Sequence, residues 1–157
     1  LGAALSGVIV GNEVLRLGRR YSVALLLESL LLLAAMVALM RGSTSGHFLA
    51  SAACGLQNGM VSTYSGAAIR TTHVSGLFTD LGTMLGARLR GHALDLRKAK
   101  LLLLLISGFI LGSAIGAYGF QHLKFAALMI PAGGAFALAA VYWIYRWSQQ
   151  RPHATRA

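Results

Sequence analysis

Polar side chains that could bind a solute are concentrated in one part of an otherwise apolar chain. The segment 67–92 places hydroxyls, a guanidinium, an imidazole and a carboxylate among apolar neighbours. A guanidinium can hold an anionic group, and hydroxyls can orient it. We therefore predict a substrate-binding site, completed by an amide pair just upstream. Its candidate residues are Arg70, Thr71, Thr72, His73, Ser75, Thr79, Asp80, Gln57 and Asn58.

Two structures are compatible with this polar segment. The first is a broken or re-entrant helix that lines a site, with the break at Gly76, since irregular backbone at membrane depth needs protein or water around it. The second is an amphipathic cytoplasmic helix from Gly76 to Arg90, lying on the inner leaflet with its arginines toward anionic headgroups. Spacing alone leaves both interpretations open.

Single ionisable residues suggest further roles. Glu28 lies within an apolar run, where a carboxylate is unfavourable and is a functional candidate; we expect it to couple protons or to pair with Arg70. Asp80 is either a site carboxylate or a partner of nearby arginines. His73 is expected to form hydrogen bonds within the threonine-rich motif, because no residues at ligand spacing indicate a metal. No metal and no cofactor is predicted.

Composition predicts the elements that must position these residues. Apolar residues make up 56% of the 157 residues and charged residues 11%, whereas soluble domains carry roughly 25% charged residues. A helix of about 20 apolar residues crosses a bilayer. We therefore predict an all-α polytopic helical bundle, a single transmembrane domain over 1–157, whose first span is partial and truncated. The predicted spans are 1–10, 21–40, 47–66, 101–120 and 123–147.

Cations alternate strictly between the predicted connections. Arginines and lysines cluster between the first and second spans, within 88–100 and in the tail, whereas the other two connections carry mainly Arg41 and Lys124. Cytoplasmic loops are the cation-rich ones. We therefore expect a multi-pass inner-membrane protein with a cytoplasmic C-terminus. The net charge of +10 is then a matter of topology, with the lipid bilayer as partner and no nucleic acid.

Small residues suggest symmetry and close packing. Residues 1–7 resemble residues 111–117, and the two helices would run in opposite directions, as in inverted-topology repeats. Similar composition alone is the alternative explanation. The pairs Gly55/Gly59, Gly82/Gly86 and Gly112/Gly116 predict close helix packing. Pro131 is expected to kink the last span.

These residues resemble a known family. The run 55–59, followed by 70–76 and 79–82, is similar to the signature of the YoaK-like bacterial membrane proteins, a group defined by a domain of unknown function. The resemblance covers nearly the whole chain. It implies an N-terminal stretch with a related motif, which would pair with 70–82 as the other half of a repeat. Gly11, Arg16, Gly18, Arg19 and Arg20 also resemble the first cytoplasmic loop of the major facilitator superfamily, but Leu15 replaces its aspartate.

Two functions follow as hypotheses. The first is a transporter-like protein for a small solute or ion, with Glu28 as the proton-coupling residue. The second is a non-transporting membrane scaffold or accessory protein that binds a partner or the inner leaflet. An enzyme is not expected, because no nucleophile and base, metal cluster or phosphate loop is present. Homo-oligomerisation stays open, as do the substrate and the coupling ion.

Overall fold

The computed structural model describes residues 1–10, 19–64 and 74–149. Within these ranges the chain is helical and has no strand, which confirms the predicted all-α class. A short 3-10 helix precedes the last α-helix. The elements are α1 Gly2–Val10, α2 Arg19–Met40, α3 Ser45–Tyr64, α4 Val74–Leu89, α5 Leu96–Leu123, the 3-10 helix Lys124–Leu128 and α6 Met129–Gln149.

The contacts divide the chain into two compact units. The first comprises Leu1–Ile69 and Leu123–Ala157, and the second comprises Arg70–His122. The first unit contains α1, α2, α3 and α6, and the second contains α4 and nearly all of α5. A single transmembrane domain over 1–157 stays a prediction.

Helix α2 is central in the first unit and runs antiparallel to α3. Gly46, at the start of α3, lies against Ala35 near the end of α2. Further along α3, Leu56 belongs to the same buried cluster as Leu25, near the start of α2. Residues later in α3 thus contact residues earlier in α2, so the two helices are antiparallel. This is expected for helices joined by the short turn at Arg41–Thr44. Gly42 takes a positive φ of 74° in that turn, a conformation that glycine adopts without strain.

Helix α1 runs parallel to α3 and packs on it at close range. Gly2 lies against Ala52 and Leu56, whereas Ser6 lies one turn further along, against Gly59. These small side chains let the two backbones approach, as the glycine pair in α3 predicts. Gly55 and Gly59 are therefore confirmed as a close-packing pair.

Within the part of the chain that the structure describes, two helical stretches are long and apolar enough to cross a bilayer: Arg20–Met40 and Leu96–Tyr145. The first matches the predicted span 21–40. The second has 50 residues and includes the predicted spans 101–120 and 123–147. At 1.5 Å per residue it is far longer than one crossing of about 30 Å. The predicted spans 1–10 and 47–66 are not among these stretches and stay predictions.

The interruption of this long stretch falls at Lys124. This residue has a φ of 51°, which is unusual for a residue other than glycine, and the 3-10 helix begins at it. Pro131 lies in the first turn of α6, where the missing N–H costs no intrahelical hydrogen bond. The break in the long helical stretch thus lies before the proline. The expected kink at Pro131 is not found, because the proline lies in the first turn of α6 and not in its interior.

In the second unit, α4 begins before the residue that was expected to break it. Gly76 lies inside the first turn of α4, so within the described residues this glycine continues a helix. Leu77 on α4 is buried in a cluster with Leu102 and Ile106 of α5. Asp95 begins α5 as its N-cap: its Oδ1 accepts hydrogen bonds of 3.0 Å from the backbone N–H groups of Arg97 and Lys98.

Candidate functional site: a buried carboxylate in the helical bundle

Glu28 is the buried acidic side chain of the described residues. It lies near the middle of α2 and only 5% of its surface is exposed. Its neighbours at helical spacing, Leu25 and Leu32, are also buried and pack in clusters with residues of α3. A residue three positions after Leu25 and four before Leu32 lies on the same helix face. Glu28 therefore belongs to the stripe of α2 that packs on α3.

One oxygen of this carboxyl group has no hydrogen-bond partner. Among the residues that the structure describes, none donates to or accepts from the buried Oε2 of Glu28. Buried polar atoms are nearly always paired, so a lone oxygen requires an explanation. The expected partner Arg70 lies outside the described residues.

A second buried oxygen without a partner lies on α1. Ser6 is fully buried, and its Oγ has no hydrogen-bond partner in the described parts of the chain. A Cβ built on Gly59 would lie 2.8 Å from this hydroxyl oxygen, which shows how closely the serine approaches α3. Sequence reasoning did not single out Ser6. Its only signal is the spacing of small residues from Gly2.

Ser29, the buried serine next to Glu28, has a hydrogen-bond partner. Ser29 Oγ donates a hydrogen bond of 2.9 Å to the backbone carbonyl of Ala132, which joins α2 to α6. Ser29 is thus a structural contact between helices. The sequence interpretation passed over it, because a serine in an apolar run does not reveal its partner.

The predicted substrate-binding residues are distributed over both units. Gln57 is exposed and Asn58 is half-buried on α3, in the same unit as Glu28. Ser75, Thr79 and Asp80 are exposed on α4, in the other unit. Arg70, Thr71, Thr72 and His73 lie outside the described residues. These assignments stay predictions.

The threonine hydroxyls of α4 form hydrogen bonds within their own helix. Thr79 Oγ1 donates to the carbonyl of Ser75, and Thr83 Oγ1 donates to that of Asp80, both at 2.9 Å. Such bonds to the preceding turn are usual for threonine in helices. Each of these two hydroxyls already donates its one hydrogen, so it could still accept a hydrogen bond from a ligand but could not donate one.

The chain belongs to a family defined without a function. Residues 1–141 match the family model described as "Protein of unknown function (DUF1275)". The match covers most of the 157 residues and places the chain in that family. No curated protein and no solved structure gives a significant match. The resemblance to an uncharacterised family is thereby confirmed, whereas the YoaK-like name and the transporter resemblance are not.

Proposed function

We propose that this chain is a multi-pass inner-membrane protein that moves a small solute or ion, with Glu28 as its coupling residue. The observation that carries the proposal is the partnerless Oε2 of a buried carboxyl group in a membrane-length helix. An ionisable group is unfavourable inside the hydrocarbon region, and where one occurs it often marks an ion or proton pathway. Arg70 and the polar residues around it would supply the solute site.

The apolar surface of the helices supports residence in a membrane. Large apolar side chains are exposed along α2, α5 and α6, including Leu30, Leu104 and Ile144. Water-soluble domains rarely expose extended apolar surface. Lipid chains around these helices would remove that surface from water. The cation-rich turn between α4 and α5 and the C-terminal tail would then face the cytoplasm.

Flux through vesicles tests this proposal. Purified chain is reconstituted into liposomes that contain a pH-sensitive dye, and a pH gradient is imposed with and without external chloride, phosphate, citrate or glutamate. We expect the protein to accelerate the pH change with at least one anion. Glu28→Gln should reduce the rate to that of protein-free vesicles, because the amide cannot take up a proton.

Ser107→Ala is the matched control. Ser107 is exposed on α5 and its hydroxyl donates only to its own helix, at Leu104. This variant should retain the wild-type rate. Equal rates for wild type, Glu28→Gln and empty vesicles under every condition would contradict transport of these probes.

A second candidate function is a membrane scaffold that binds the inner leaflet. Two observations favour it. The threonine hydroxyls of α4 bond within their helix, and the segment 88–100, from the end of α4 to the start of α5, is strongly basic. The segment 88–100 has five cationic side chains and one carboxylate, Asp95, so it stays strongly positive. Clusters of exposed cations beside a span attract anionic headgroups. The cations are Arg88, Arg90, Arg97, Lys98 and Lys100.

Lipid binding separates the two candidates. In detergent, added phosphatidylglycerol should raise the melting temperature of the chain more than added phosphatidylcholine does. Changing Arg88, Arg90 and Arg97 together to glutamine should remove that difference, whereas Arg41→Gln, an exposed cation on another turn, should preserve it. A wild-type chain that responds equally to both lipids would contradict leaflet binding.

A further inference from the structure

The two partnerless oxygens, on Ser6 and Glu28, lie in the same helical unit. Both residues are buried, and neither atom has a hydrogen-bond partner among the described residues. Leaving a buried polar atom unpaired is unfavourable. Two such atoms on neighbouring helices therefore suggest a shared ligand.

The helix registers place the two residues within one turn of each other. Ser6 lies at the level of Gly59 on α3. Glu28 lies between Leu25 and Leu32, whose clusters include Leu56 and Ala53 of α3, and so lies near the level of Leu56. Three residues of helix rise about 5 Å. Ser6 and Glu28 are therefore at similar heights along the bundle axis.

The helix directions bring the two side chains closer. Side chains on a helix lean toward its N-terminus. Because α1 is parallel to α3 and α2 is antiparallel to it, Ser6 and Glu28 lean toward each other along the bundle axis. Gly55 and Gly59 present no side chain on the face of α3 against which α1 packs. The glycines therefore leave the serine hydroxyl close to the backbone of α3.

We infer that Ser6 and Glu28 form a proton-binding site inside the helical bundle. The Glu28 carboxylate takes up one proton from water, and the resulting carboxylic acid donates its hydrogen to Ser6 Oγ. On deprotonation the serine hydroxyl donates to the carboxylate instead. Neither bond is made in the structure, where both oxygens lack a partner, so proton uptake also requires a change of side-chain rotamer at Ser6 or Glu28. This inference rests on the proposed function and names the proton as its coupling ion.

A proton fits this donor set better than a metal ion does. Calcium, for example, takes six to eight oxygen ligands. The described residues offer one carboxyl group and one hydroxyl without partners. A proton needs only a single base and one acceptor, and it requires no cavity between packed helices.

Among the side chains that the structure describes, no charged group is bonded to Glu28 Oε2. Helix α1 carries no titratable side chain. His47, Cys54, Lys124 and Arg20 are exposed, and Tyr142 packs edge-on against Tyr21, with 6.0 Å between ring centroids. The remaining titratable groups on α2, α3 and α6 or at their ends are Arg19, Arg41, Tyr64, Tyr145 and Arg146. Arg70, outside these residues, is the competing partner.

Infrared spectroscopy of the full chain in lipid tests the site directly. A protonated carboxyl group has a C=O stretching band that disappears on ionisation and moves to lower frequency when its hydrogen is donated. Only four acidic side chains are present, Glu13, Glu28, Asp80 and Asp95, so the band can be assigned. We expect a pH-dependent band in wild type that Glu28→Gln removes.

Ser6→Ala tests the second half of the pair. Alanine keeps the Cβ that packs on Gly59, so the helices stay together while the hydroxyl is lost. The Glu28 band should keep its intensity and shift to higher frequency. An unchanged frequency would overturn the role of Ser6, and a band that persists in Glu28→Gln would overturn the site.

Arg70→Gln tests the competing ion pair. If the Glu28 band appears only in this variant, Glu28 is the ionised partner of Arg70 and the inference fails. The flux assay separates this outcome from failure of the proposed function. A titrating Glu28 band without flux would contradict transport alone, whereas flux without that band would contradict the proton site alone.

Discussion

At the scale of single residues, the lack of a side chain on Gly59 determines how closely α1 packs on α3. A Cβ added to Gly59 would lie 2.6 Å from the Cβ of Ser6, closer than side-chain carbons approach each other. By contrast, nothing lies within 4 Å of the position that a Cβ would take on Gly112 in α5. The same residue type thus has opposite roles in the two helices.

This contrast predicts opposite effects for one substitution. Gly59→Ala should destabilise the chain by about 1–3 kcal/mol, because overpacking forces the helices apart. Gly112→Ala should be neutral or stabilising by up to about 1 kcal/mol, since alanine favours the helix. Unfolding in mixed micelles with increasing denaturing detergent measures both. A Gly59→Ala variant as stable as Gly112→Ala would contradict the close approach of α1 and α3.

Ser29 provides a prediction about the contact between α2 and α6. Ser29→Ala should lower the free energy of unfolding by about 0.5–1.5 kcal/mol, through loss of its buried hydrogen bond to Ala132. Ser107→Ala is the control, because that exposed hydroxyl bonds within its own helix. The same unfolding assay compares the two, and equal stabilities would show that the Ser29 bond adds nothing.

The sequence identified some of these residues and could not identify others. Glu28 is visible because a carboxylate in an apolar run is rare, and Gly55 and Gly59 because their spacing repeats a helix face. Ser6 and Ser29 look alike in sequence, yet one hydroxyl is bonded and the other is not. That difference depends on which atoms of the neighbouring helix lie next to each serine. The spacing of residues within one helix does not specify those atoms.

At the scale of elements, helix starts follow local chemistry more closely than hydrophobicity. The apolar run of α5 begins near Leu101, but the helix begins at Leu96 because Asp95 caps it. Likewise, the 3-10 helix that begins at Lys124 interrupts an apolar stretch that hydrophobicity alone divides less sharply. The two stretches long enough to cross a bilayer therefore include the predicted spans 21–40, 101–120 and 123–147 but differ from them at their ends, whereas the spans 1–10 and 47–66 stay predictions.

The cap on α5 yields a prediction at this scale. Asp95→Ala should destabilise the first turn of α5 by about 0.5–2 kcal/mol, and Asp95→Asn should retain most of the stability, since asparagine also caps well. Amide hydrogen exchange in the segment that contains Arg97 and Lys98 measures the effect locally. Unchanged protection in Asp95→Ala would mean that the cap does not hold this turn.

The two similar segments, residues 1–7 and 111–117, lie on helices with different packing. Gly2 and Ser6 on α1 correspond to Gly112 and Gly116 on α5 in the alignment of the two segments. The α1 residues contact α3, whereas neither glycine of α5 would have a Cβ neighbour within 4 Å. Close packing at Gly112/Gly116 and Gly82/Gly86 is thus absent among the described residues. The inverted repeat itself stays a prediction.

At the scale of the whole molecule, the alternation of cations predicts which turns face each side of the membrane. In a Cys54→Ser background, Ser43→Cys on the α2–α3 turn should react with a membrane-impermeant maleimide added to intact cells. His92→Cys on the α4–α5 turn should react only after permeabilisation, because its connection is the basic one. Both positions are exposed. Labelling of both from the same side would contradict the proposed topology.

The parallel contact of α1 with α3 also has a consequence for biosynthesis. The ribosome completes α1 well before it makes Gly55 and Gly59. In the proposed multi-pass topology, α1 would therefore enter the membrane before the surface of α3 on which it packs exists. Docking of α1 on α3 would then be a late step, after insertion. Variants that block it should insert normally and then be removed by membrane proteases.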